Sequence, residues 1–239
     1  MRIRGLGTIT LTVLIGLPLS TAALDQDDFV APPERTPNLS LGPTPLAPAN
    51  VGIGQPIPDL QVQGADGQLH GLSRLVGERG GVIVVRDPDC PVSRRYGPRI
   101  AELAAFYADQ GFGFVMIYPN VSVDATLRAQ DQRPLRVPGV YVAQGSFALA
   151  NALGVNNTGD TFVIDRDLRL RYRGAVDDQF GIGYTRPLPT RHYLRNALDD
   201  LAAGRPIATP ATTAPGCQID ADPALDRWFD RLPAGHLVG

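Results

Sequence analysis

Two side chains in this sequence combine nucleophilicity with redox chemistry at neutral pH: Cys90 and Cys217, the sole cysteines among 239 residues. Cys90 follows the β-branched run Val82-Ile83-Val84-Val85 and precedes residues 96–109, where Ile100, Leu103, Ala104, Phe106 and Tyr107 recur at helical spacing. Pro91 stands where the first helical turn should begin, a position whose N–H has no intrahelical partner. A thiolate there faces unpaired N–H groups and the positive end of the helix dipole, which lower its pKa. Arg86, Arg94, Arg95 and Arg99 are close in sequence and would add to this, while Asp87 and Asp89 oppose it. The expectation is a thiol that titrates below the ordinary value of about 8.5. A buried structural cysteine, or half of a structural disulfide, is the competing reading of the same residue.

Other chemistries find little support. His70, His192 and His236 are scattered and none pairs with a cysteine at metal-ligand spacing. His192 reads as a surface residue. There is no P-loop, dinucleotide fingerprint, H-E-x-x-H pair or nucleophile elbow, and Ser93 has no evident histidine partner. Neither a metal nor a cofactor is expected. The loop Gly181-Ile182-Gly183-Tyr184-Thr185-Arg186-Pro187-Leu188-Pro189 is long for a plain connection. It reads either as lining the Cys90 site through Tyr184 and Arg186, or as an ordered loop on the sheet edge.

The elements that must position Cys90 follow from the pattern. The apolar run 82–85 reads as a strand covered on both faces. Residues 112–118 and 140–143 are further strands, separated by a helix over 123–130. A helix over 146–153 precedes a hairpin whose arms, 161–164 and 168–173, flank Asp165-Arg166-Asp167. A last helix is predicted from Thr190 as N-cap to Gly204 just past its end. Near the start, Asp66-Gly67 reads as a turn between two short strands. This order predicts an α/β thioredoxin-like fold, a central mixed sheet with helices on both faces.

Composition bounds the rest. With 44% hydrophobic and 19% charged residues, the chain can build one ordinary core with extensions. A net charge of -2 gives no support for a nucleic-acid or anionic membrane surface. All 22 basic residues are arginine, which reads as compositional bias. Arg2 and Arg4, the apolar run 9–19 and the small residues before Leu24 predict a signal peptide over 1–23. That run is too short to span a bilayer. Export to the periplasm or the extracellular space follows, where Cys90 and Cys217 can pair. The mature chain is expected to begin at Ala23 or Leu24. Intact-mass measurement on exported protein checks this, and retention of Arg2 and Arg4 would refute it. Residues 24–50 read as a Pro-rich linker, 51–204 as the domain and 205–239 as a tail. The tail holds a short helical stretch near 223–232, and Trp228 with Phe229 is expected to pin it.

Cys90-Pro91-Val92-Ser93 resembles the active-site segment of thioredoxin-like proteins, with Ser93 in place of the second cysteine. With Tyr96, Pro98, Asp66-Gly67, the segment 176–187 and Pro215-Gly216-Cys217, the chain resembles the redoxin group (alkyl hydroperoxide reductase and thiol-specific antioxidant) over roughly residues 50–220. Within that group it is similar to exported bacterial redoxins carrying Cys-Pro-x-Ser. The resemblance implies thiol–disulfide exchange, with Cys90 as nucleophile, Cys217 as candidate resolving residue, and Pro91, Ser93, Arg94 and Gly159 in the binding region. Partners would be exported protein thiols or disulfides, or a small thiol reductant.

Two departures bear on this. Gly159 stands where such proteins carry a cis-proline, so the backbone edge that docks a substrate is expected to be misplaced. Restoring proline there is expected to speed exchange. Peroxiredoxins carry Thr or Ser three residues before the peroxidatic cysteine and Pro seven before; here those positions are Asp87 and Ile83, which weakens a thiol peroxidase reading. A redox-inert binding module is the third reading. A permanent Cys90–Cys217 staple, worth roughly 4–5 kcal/mol by the loop-entropy model, is indistinguishable in sequence from a reversible pair.

Overall fold

The computed structural model describes residues 42–64, 67–119, 125–136, 140–144 and 147–219. The signal peptide, most of the linker, the Asp66 turn position, His236 and the 223–232 stretch with Trp228 lie outside them. Strands β1 (Gln61–Gly64) and β2 (Leu69–Gly71) come first, followed by the one-turn helix α1 (Leu72–Leu75). Then come β3 (Gly80–Val85), α2 (Pro91–Ala108), β4 (Phe112–Tyr118), α3 (Ala125–Gln132), β5 (Val140–Gln144) and α4 (Phe147–Leu153). The hairpin β6 (Thr161–Asp165) and β7 (Leu170–Gly174), a small ribbon of β8 (Phe180–Gly181) with β9 (Tyr184–Thr185), and α5 (Tyr193–Ala202) complete the described order.

Seven strands form one sheet in the order β2-β1-β5-β4-β3-β6-β7. The central β3, β4 and β5 are parallel, and the flanking pairs are antiparallel. Residues of β3 and β4 are buried throughout because both faces of the sheet are covered. The period of two sends alternate side chains to opposite layers. Val82, Val84, Phe114 and Met116 pack under α2 and α5, against Ile100, Leu103, Ala104, Leu194 and Leu198. Ile83, Val85, Val115 and Ile117 pack on the other face against Leu149 and Leu153 of α4. This is the thioredoxin-like α/β arrangement: a central mixed sheet with helices on both faces.

Element boundaries can be set against the sequence reading. Helix α2 begins at Pro91, where the proline marks its first turn, and Val92, Ser93 and Tyr96, ahead of or at the start of the periodic apolar stretch, are already buried there. Helix α3 reaches Gln132, two residues past its expected end. Helix α5 starts at Tyr193, with His192 and not Thr190 at its N-cap position. Thr190 instead donates its N–H and its hydroxyl to the buried Asp178 carboxylate, which also takes the Arg191 N–H. A nearby carboxylate outcompetes the helix end for Thr190. Among the described residues, no helix is long and apolar enough to cross a membrane.

The segments at either end of the domain meet each other. Residues 48–51 form a short 3-10 helix after a stretch tied to the tail: Leu46 N–H donates to Ala211 O at 3.0 Å and Thr213 N–H to Thr44 O at 2.8 Å. Arg173 N–H donates to Pro210 O, and Thr212 N–H to Arg173 O. The tail is thereby laid along β7. It continues toward the end of α2 that carries Cys90.

Candidate thiol site

Cys90 is the N-cap of α2, in extended conformation, with Pro91 at the first helical position. The strand β3 ends at Val85, and Cys90 N–H donates back to Asp87 O at 3.2 Å while Cys90 O accepts the Arg94 N–H at 3.0 Å. Strand, turn and helix thus hold the sulfur at the helix terminus, as its flanking sequence implies. The thiol is buried, with 1% of the residue exposed.

The tail brings Cys217 to it. The two Sγ atoms are 2.7 Å apart across 127 residues of chain. Thr158 clasps the tail from both sides: its N–H donates to Cys217 O at 2.9 Å, and its Oγ1 accepts the Cys217 N–H at 2.9 Å. Ile219 N–H donates to Asn156 O at 3.0 Å, and Asn157 faces Gln218 as an antiparallel bridge. Residues 156–158 are therefore a short backbone edge on which the tail lies as a strand. Asp160, buried beneath it, accepts the Asn156 N–H at 3.0 Å and shapes the edge. Burial holds the Asp160 carboxyl above the usual range despite these donors.

This arrangement corrects the reading of Gly159. The backbone edge at 156–158 is in place and is occupied by the protein's own tail. A Cβ at Gly159 would sit 1.8 Å from Pro215 O, so glycine is required for the tail to close in. Proline at this position would collide with the tail, not restore a docking surface.

The two thiols differ in acidity. Burial raises Cys90, but hydrogen bonds from the Cys217 thiol, the Ser93 N–H, the Thr158 hydroxyl and the Cys217 N–H outweigh it and hold it below the ordinary thiol value. Cys217 is pushed up to about 11, first by burial and then by the Cys90 sulfur and the Asp87 carboxylate. Cys90 is the acidic partner and Cys217 the proton-bearing donor. Of the two reduced variants, Cys217→Ser keeps a hydroxyl donor beside Cys90 and Cys217→Ala does not. Alkylation of Cys90 against pH is expected to show a lower midpoint in the serine variant. The reverse order would mean that burial alone sets the titration.

The neighbouring arginines do not supply the depression, contrary to expectation. Arg86 is buried and gives Nε and one terminal nitrogen to both oxygens of Asp131, at 3.1 and 2.5 Å. Its other terminal nitrogen donates to Ser93 O. Arg95 donates to Thr185 Oγ1 at 2.8 Å, and Arg99 to Asp177 Oδ2 at 2.7 Å. Arg94 is exposed. Ser93, at the position of a second active-site cysteine, is buried, and its Oγ accepts the Asp87 N–H at 3.0 Å. It braces the turn.

Tyr184 and Arg186 are engaged with each other and with Asp178. Arg186 donates Nε to Asp178 O at 2.9 Å and stacks over Tyr184 at 5.6 Å. Among the described residues, no hydrogen bond or ion pair joins either to a thiol. Their ribbon instead reaches α2 through Phe180, edge-on to Tyr96 at 5.1 Å, and through Thr185. His192 stands at the N-cap position of α5 with no capping bond from its side chain, and the described residues contain no metal-binding cluster of His, Cys, Asp or Glu. Sequence reasoning missed Thr158, Asp160 and Arg86 as organisers. The turn-rich run Asn156-Asn157-Thr158-Gly159-Asp160 was the available signal.

A model of the Redoxin family matches residues 53–183. No curated protein matches the chain. Among solved structures, an uncharacterized conserved protein from Geobacillus kaustophilus superposes with a TM-score of 0.58 at 26% identity, covering 72% of this chain and 94% of that one. A hypothetical protein from Sinorhizobium meliloti 1021 also scores 0.58 at 26% identity, over 74% and 96%. A peroxidoxin from Mycobacterium tuberculosis scores 0.47 at 17% identity, over 65% and 99%. Cys217 and its tail lie beyond the family match. That match takes in Cys90 and the strand and helix that hold it, and it spans more than half of the chain; this protein belongs to the Redoxin family.

Proposed function

We propose that this protein is an exported thiol–disulfide oxidoreductase in which Cys90 is the nucleophile and Cys217 the resolving cysteine. The observation that carries this is the 2.7 Å approach of two thiols of unequal acidity. Family membership supports the redox class. In the reaction, the Cys90 thiolate attacks a substrate disulfide, forming a mixed disulfide and expelling one substrate thiolate. Cys90 then no longer carries charge, which relieves part of what holds Cys217 protonated. Cys217 gives its proton to the first substrate thiolate expelled; its own thiolate then attacks the Cys90 sulfur, expels the second substrate thiolate and closes the Cys90–Cys217 disulfide. The substrate gains the two electrons that the protein loses, and a dithiol reductant returns them. A hydroxyl three residues before Cys90, which peroxide activation would use, is absent: Asp87 is there, its carboxylate accepting the Asp89 N–H at 2.8 Å.

The test is reversibility in the folded state. Stoichiometric oxidation is expected to lower the intact mass by two hydrogens, and dithiothreitol at neutral pH to restore it without denaturant. Turnover of a disulfide-bonded polypeptide should vanish in Cys90→Ser, and Cys217→Ser should accumulate mixed disulfide. A pair that is reduced only after unfolding would be a staple, and the binding-module reading would then hold.

A further inference from the structure

We propose that the reductant enters at Cys217: in the oxidised protein the tail sulfur, not the helix-terminus sulfur, forms the mixed disulfide with the incoming thiolate. This rests on the reading of the pair as a reversible disulfide. Thiolate attack on a disulfide is in line, with nucleophile, attacked sulfur and leaving sulfur roughly collinear, so access behind each sulfur decides which is struck. Behind Cys90 is the core packed between α2 and the sheet, and 1% of the residue is exposed. Cys217 is half-buried on the tail, between buried Gly216 and exposed Gln218, and is the more accessible of the two cysteines.

The leaving group agrees with this direction. Attack at Cys217 breaks the S–S bond and leaves the electron pair on Cys90, where the Ser93 N–H and the Thr158 hydroxyl receive a thiolate. Attack at Cys90 would leave it on Cys217, which sits near the Asp87 carboxylate and favours its protonated form. A more acidic leaving thiol departs faster. The first step is thus RS⁻ plus the Cys217–Cys90 disulfide giving RS–Cys217 and the Cys90 thiolate. A second thiolate of the same dithiol then attacks its own sulfur. It closes the reductant's disulfide and releases Cys217, which takes up a proton.

Reductant and substrate therefore use different surfaces. The reductant meets the outer face of the docked tail. A polypeptide substrate needs the edge 156–158, which is covered until the tail lifts.

The experiment is a short pulse of reduced glutathione on oxidised wild-type protein, an acid quench, N-ethylmaleimide labelling and peptide mapping. Glutathione is expected on Cys217 and maleimide on Cys90, in roughly tenfold or greater excess over the opposite pattern. Glutathione mainly on Cys90, or spread evenly, would overturn the proposal and leave the oxidoreductase reading intact. In the Gly159→Ala variant, with its tail loosened, the preference should fall toward parity; an unchanged ratio would show that burial does not select the sulfur and would also overturn it. If wild type forms no Cys90–Cys217 disulfide on oxidation, the functional reading fails and this inference with it.

Discussion

Replacing Arg86 by alanine is expected to cost about 3–5 kcal/mol of folding stability, the typical penalty for removing one partner of a buried ion pair. Arg86 is 1% exposed and Asp131 is nearly as enclosed, with the Tyr118 hydroxyl donating to Asp131 at 2.9 Å. Without the guanidinium, the Asp131 carboxylate keeps, among the described residues, the Tyr118 hydroxyl as donor, and Ser93 O loses the arginine N–H. Small domains have only about 5–15 kcal/mol in total, so the variant should be visibly fragile. Urea titration with an unchanged slope would register the loss as a lower midpoint. The pair Arg86→Met with Asp131→Leu should recover most of it, because the strain lies in the orphaned charge and not in the missing contact. A loss below about 1 kcal/mol in Arg86→Ala would mean that water reaches Asp131 and that the pair is a surface bridge. The same substitution frees the first turn of α2, so the alkylation midpoint of Cys90 should rise.

Gly159→Ala is expected to uncover Cys90 without touching either thiol. The added Cβ would lie 1.8 Å from Pro215 O and 2.8 Å from its carbonyl carbon, both backbone atoms that no rotamer can move aside. The tail must lift. Three hydrogen bonds hold it to residues 156–158, at roughly 0.5–1.5 kcal/mol net each. Losing them raises the time the tail spends undocked by roughly one to three orders of magnitude, at about 1.4 kcal/mol per decade. Reduced Cys90, buried in wild type, should then react with iodoacetamide faster by a factor in that range. Closure of the Cys90–Cys217 disulfide should become harder by a similar factor, read from its equilibrium with glutathione. Global stability should change less than that, because the strand pairings of the sheet are untouched and only the tail residues Ala214 and Cys217 leave the core layer under α2. If alkylation is no faster and the melt is unchanged, the tail does not seal the thiol, and the role given to Gly159 is wrong.

What the sequence determined by itself is what depends on near neighbours. The β-branched run before Cys90 can only be a covered strand, and its period of two already divides Val82 and Val84 from Ile83 and Val85. Pro91 marks the helix start, so the helix-terminus setting of Cys90 was legible, as was the hairpin around Asp165-Arg166-Asp167. The order of elements then left few alternatives to a thioredoxin-like sheet. The rest depends on groups that meet only when the chain closes on itself. Nothing local joins Cys217 to Cys90 across 127 residues; the tail is brought there by hydrogen bonds to β7 and to Asn156 and Thr158. Arg86 looked like a local cation for the thiol, but burial forces it onto Asp131, 45 residues away. Gly159 looked like a lost docking element because its neighbour in space, Pro215, is not its neighbour in sequence. Charge and hydrogen-bonding capacity are properties of residue types, but which partner satisfies them in a low-dielectric interior is chosen by packing, and that choice set the acidity of Cys90.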